Sequence, residues 1–122
     1  MLDETNTQVG YVLGRLFSLL YDTQIDHGKK ELNRTILDTY YGSASTTPAV
    51  VFPRLLNLYR HHINKLSSKG LKVIREKQVQ NVMGKLEKFP SCLSMEQQGL
   101  FALGFYHQTQ ELFVKKNDDK NI

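Results

Sequence analysis

Apolar residues along this chain recur every three or four positions, in five stretches divided by short polar, glycine- or proline-bearing breaks. That spacing marks amphipathic helices; a strand would need strict alternation, and no stretch shows it convincingly. Five stripes joined by short connections must bury one another. The pattern therefore predicts an all-α, compact bundle of about five helices in a single domain, 1–122, frayed at 1–5 and 116–122.

The first helix is expected from Thr7 to Asp22, opened by a Thr5/Gln8 capping box. Val9, Val12, Leu13, Leu16, Phe17 and Leu20 form its stripe. Gly10 and Gly14, one turn apart, suggest close approach of a neighbouring backbone. Asp26, His27 and Gly28 read as a break. A second helix is expected over Lys30–Tyr41, then a polar loop from Gly42. Thr47-Pro48 suits the start of a third helix, with Thr as N-cap and Pro in the first turn. Pro53 cannot donate to the carbonyl of Ala49, which predicts a kink or a short first turn. This helix should reach Leu66 and bury Phe52, Leu56, Tyr59, Ile63 and Leu66. A fourth should span Leu71–Glu87 and end at Phe89-Pro90. Its apolar positions are Leu71, Ile74, Val79, Val82, Met83 and Leu86. The fifth starts from a Ser94/Gln97 capping box and runs to about Lys115, with Leu100, Phe101, Leu103, Tyr106, Leu112 and Phe113 on its stripe.

One cysteine, Cys92, precludes a disulfide framework within the chain and argues against a thiolate zinc site. It fits a reducing, cytoplasmic setting. No apolar run approaches the ~18 residues of a membrane span. Catalytic constellations are missing. His61 and His62 are adjacent and diverge by about 100° on a helix. His27 and His107 stand apart, carboxylates are scattered, and no nucleotide, zinc-protease or serine-hydrolase motif occurs. The expectation is a protein without enzymatic activity, metal or cofactor.

The charge distribution is more informative than its sum of +4. Residues 54–88 hold nine Lys or Arg against two acids, whereas the flanking segments are slightly acidic. Such asymmetry suits a polyanion, although solvated basic faces are common. On the third helix Arg54, His61 and Lys65 fall within an arc of about 40°, with Asn57 and Asn64 beside them and the apolar stripe about 150° away. Arg60 adds a further cation. Cations supply affinity for phosphate and amides supply positioning. Lys69 and Lys72 extend the basic surface, and Arg15 and Arg34 would join if their helices pack alongside. Arg15 could equally serve an internal salt bridge, with Asp22 or Asp38. No base-reading motif accompanies these residues, so sequence-independent backbone contact is the expected mode.

Three stretches carry a resemblance: GRLFSLLYDTQ at 14–24, TYYGSASTTPAVVFPRLLNLYRHHINKL at 39–66 and FPSCLSMEQQGLFALGFYHQTQELF at 89–113. In order, they resemble the C-terminal domain of the large subunit of type I-C CRISPR Cascade complexes; residues 70–88 match less distinctly. The resemblance implies a small subunit, translated separately from the large-subunit gene or an excised domain. Such subunits are helical bundles that stack along the complex and help hold the R-loop. Implied partners are the large subunit, the guide-RNA-binding backbone subunits, further copies of the chain, and the target and displaced DNA strands, with guide RNA a further candidate. Guide–target pairing reads sequence, and a separate nuclease cuts. Arg15 and Arg54 lie inside matching runs. The alternative is a structural subunit bridging proteins without nucleic-acid contact.

Overall fold

The computed structural model describes residues 1–27 and 35–120; the side chains of His27 and of residues 116–120 lie outside that description. Five helices follow one another: α1 Val9–His27, α2 Ile36–Thr46, α3 Pro48–Asn64, α4 Lys69–Met83 and α5 Met95–Lys120. There is no strand among the described residues, and the helices form a compact bundle.

α1 is the hub, and α2, α3, α4 and α5 all pack against it. Every residue from Gly10 to Leu20 is buried, polar Ser18 and Arg15 included. The apolar stripe expected on one side is thus covered on all sides. α5 presses closest, and glycine is the reason. A Cβ at Gly10 would overlap the carbonyl oxygen of Gln97, one at Gly14 that of Phe101, and one at Gly104 that of Tyr11. The two backbones meet where side chains would hold them apart. Phe17, Tyr41, Phe101 and Phe105 interlock nearby, edge to face or tilted, with ring centroids 5.4–5.9 Å apart.

Helix ends differ from the sequence expectation for local reasons. No Thr5/Gln8 box forms. Asp3 accepts from the Thr5 N–H and hydroxyl, and Asn6 Oδ1 accepts from Gln8 N–H. The N-terminal residues are also tied down, since Asp3 N–H donates to Tyr11 Oη and Lys85 Nζ to the Glu4 carbonyl. α1 continues one turn past Asp22, through the Asp26-His27 pair read as a break.

The expected start of the second helix lies outside the described residues. A Thr35/Asp38 capping box opens α2, and Gln24 of α1 accepts from Ile36 N–H. α2 also runs through the segment read as a loop. Ser43, Thr46 and Thr47 hydroxyls donate back to carbonyls three or four residues earlier, which lets small polar residues stay helical. Thr47 therefore does not cap α3 through its side chain; Ala49 N–H, in that first turn, finds Pro90 O instead. α3 runs without a break through Pro53, which is exposed. Ser68 caps α4, and the helix stops at Gly84, a turn before Phe89-Pro90. Ser94 accepts from Gln97 N–H, but the Gln97 side chain leaves the box. Its Oε1 takes the Gly10 N–H and its Nε2 donates to Gln8, so the starts of α1 and α5 are joined.

Candidate nucleic-acid interface

α3 sorts its residues cleanly. Val51, Phe52, Leu55, Tyr59, His62 and Ile63 are buried, with Leu56 half-buried. On the opposite side Val50, Pro53, Arg54, Asn57, Arg60, His61 and Asn64 are exposed, and Lys65 follows as the exposed C-cap. Arg54, Asn57, Arg60, His61 and Lys65 thus share one outward face. From Arg54 to Lys65 that face extends about 16 Å along the axis. Among the described residues no ion pair engages Arg54, Arg60, Lys65, Lys69 or Lys72. His61 points outward while adjacent His62 is buried, and their rings lie 5.9 Å apart.

Past the α3–α4 turn, Lys69 is exposed at the first position of α4. Lys72 is half-buried, because on α4 it falls on the side of buried Val79. Arg34 lies outside the described residues. Arg15 does not join this face. It is 3% exposed, and its Nε donates to Gln108 Oε1 at 3.0 Å beneath α5. Neither Asp22 nor Asp38 is its partner. Burial lowers its pKa from the ordinary guanidinium value, with Glu4 the foremost charge opposing that fall.

The side chain that sequence reasoning miscounted is Arg75. It belongs to the basic stretch, yet it is 2% exposed. Its Nη2 meets Asp22 at 2.5 Å and Asp26 at 3.8 Å. Nη1 donates to Leu19 O and Thr23 Oγ1, and Nε to Gln78 Oε1. One guanidinium fastens α4 to the last turns of α1, using nearly all its donors. The signal was in the sequence: Asp22 and Asp26 stand one turn apart on α1. Tyr59, on the inner side of α3, carries a buried hydroxyl with no protein partner; burial raises its pKa, helped by Glu76.

A second surface went unanticipated. Leu103, Tyr106 and Phe113, expected in the core, are exposed, joined by Val114 and by Met95 at 88%. The inner side of α5 is used by Phe101, Gly104, Gln108 and Leu112, which leaves a second apolar stripe outside. Residues 97–110 contain no Asp, Glu, Lys or Arg.

The family model for CRISPR-associated protein (Cas_Csd1) matches residues 1–113, nearly the whole chain. The chain belongs to the Cas_Csd1 family. No curated protein matches it closely. Membership in this CRISPR-associated family bears out the CRISPR association read from the three sequence stretches. It implies a component of a Cas assembly. Among the described residues no helix is long and apolar enough to cross a membrane, and no three His, Cys, Asp or Glu side chains converge as metal ligands.

Proposed function

We propose that this Cas_Csd1-family chain is a non-catalytic small subunit of a type I-C CRISPR interference complex. It packs along the complex in the cytoplasm and stabilises the R-loop through phosphate contacts that ignore base sequence. The observation that carries this reading is the outward face of α3, where Arg54, Arg60 and Lys65 stand exposed with Asn57 and Asn64 between them. A helix with cations and amides but no base-reading motif suits backbone contact. Lys69 extends the surface. The polymer is target or displaced DNA, or guide RNA.

The test is retention of target DNA by the assembled complex across a salt series. Arg54→Ala with Lys65→Ala should weaken retention and flatten the salt dependence by about one to two in log–log slope. Circular dichroism should show the helical bundle intact. A double variant that holds DNA as tightly as wild type at every salt concentration overturns the assignment.

A second reading, a subunit that only bridges proteins, is favoured by the uncharged outer stripe of α5. The two readings share the protein contacts and part over nucleic acid, which the second leaves out. That stripe suits a neighbouring subunit, which is the large subunit, a backbone subunit or another copy of this chain.

A further inference from the structure

Arg15 is the least satisfied charge in the core. Nε has Gln108, but buried Nη1 has no protein acceptor. A buried cation left with one neutral hydrogen bond is costly, and such groups normally find a partner. Beside it lies a cleft of about 50 Å³, floored by Arg15, Leu19 and Val82 and flanked by Gln78, Asn81 and Gln108. That is room for several waters or one small tetrahedral anion.

The chemistry of the walls favours an acceptor. Gln108 gives its oxygen to Arg15 and Gln78 gives its oxygen to Arg75. One lone pair of each oxygen is so engaged, and the NH2 group of each amide remains as a donor. Of the two carboxylates at the cleft, Glu111 lies 3.8 Å from Lys115 Nζ. Glu4 sits on the N-terminal segment, exposed, and Lys85 holds its backbone carbonyl.

We infer that this cleft is a binding site for one small oxyanion of phosphate type, with Arg15 as its floor and Glu4 as a competing carboxylate at its mouth. The inference is independent of the α3 face. It gives Arg15 a ligand smaller than a nucleic-acid strand laid over the surface, because the guanidinium is too deep for that. The anion comes free from solution or as the terminal phosphate of a strand.

The test is a titration of the full chain with inorganic phosphate at constant ionic strength, read by the NMR signals of the Arg15 Nε–H and the Gln108 side-chain amide. Both should shift saturably, and chloride at matched ionic strength should leave them in place. Arg15→Met should abolish the shift of the Gln108 amide, the reporter that variant retains. Glu4→Gln, an exposed change that spares the core, should tighten phosphate about two- to fivefold by removing the competitor. A response to a 5′-phosphorylated oligonucleotide, absent with its 5′-hydroxyl form and with inorganic phosphate, assigns the strand end as the source. Signals that move no further with phosphate or phosphorylated oligonucleotide than with chloride overturn the inference and leave the cleft to water.

Discussion

Replacing Arg75 by alanine removes a buried guanidinium that joins α4 to the end of α1 by charge. Removing one partner of a buried pair costs about 3–5 kcal/mol, because the other is left buried and charged. Here the partners set the value. Asp22 is 19% exposed and Asp26 14%, so water reaches both once the guanidinium is gone. The carbonyl of Leu19 keeps the Thr23 hydroxyl as a donor. The loss is therefore expected near the lower bound, about 3 kcal/mol. For 122 residues a total stability of about 6–18 kcal/mol is ordinary. The variant should fold, with its melting point lowered by roughly 10–15 °C. Urea unfolding followed by circular dichroism measures this directly. Arg75→Met with Asp22→Asn supplies the cycle: the double variant should recover at least about 1 kcal/mol relative to the sum of the single changes. A loss below about 1 kcal/mol in Arg75→Ala, or strict additivity, would refute the structural assignment and return Arg75 to the pool of surface charge.

Gly14→Ala gains helix propensity but places a methyl group on the Phe101 carbonyl, so α1 and α5 must separate; a net loss of about 1–3 kcal/mol in urea unfolding is expected. Tyr59→Phe deletes a buried hydroxyl that has no protein partner, and at neutral pH it should be neutral or stabilising by up to about 1 kcal/mol. Burial raises the pKa of both Tyr41 and Tyr59, so each favours the folded state while protonated. That contribution is whole below the unfolded value of about 10 and is lost as pH rises through the higher folded value. The urea midpoint should fall on the alkaline side of pH 10, and less steeply in Tyr59→Phe. Tyr106→Glu with Phe113→Glu changes only exposed positions. It should leave the melting point of the isolated chain within a few degrees while abolishing its co-purification with the remaining Cas subunits.

Helical periodicity announced five helices and the bundle, because each stripe must be covered by something. It located the close approach at Gly10 and Gly14, since paired glycines one turn apart have few other uses in a buried helix. It misplaced helix ends wherever a side chain chose a distant partner over a local one. Gln97 abandons its capping box for Gly10, and the hydroxyls of 43–47 sustain a helix that composition reads as a loop. Leu103, Tyr106 and Phe113 sit on a helix with two apolar sides, and periodicity alone does not say which side the neighbour takes. Arg54, Asn57, His61 and Lys65 were legible because one helix carries them all, and helix geometry fixes their relation. Arg15 was not, since its setting depends on which helix covers α1.

The buried arginines also change how the charge of this chain is read. A basic segment attracts a polyanion only with the cations that are not already committed. Arg75 spends its charge on two aspartates inside the bundle, whereas Arg54, Arg60 and Lys65 have no carboxylate partner among the described residues. Three such cations over about 16 Å release roughly two to three counterions on meeting a strand. That supports only weak, salt-sensitive binding by one copy, in the range of non-specific affinities of about 10⁻⁴–10⁻⁶ M. On the proposed reading, useful retention needs several such faces held in line, where each further contact becomes intramolecular. The uncharged stripe outside α5 is the feature suited to hold them there. A protein surface of that kind gains by being covered, and the helix beneath it is fixed to α1 by three glycine contacts and so offers a rigid face. If the proposed reading holds, adhesion through α5 and attraction through α3 depend on each other: without the first, the second is too weak to keep a strand.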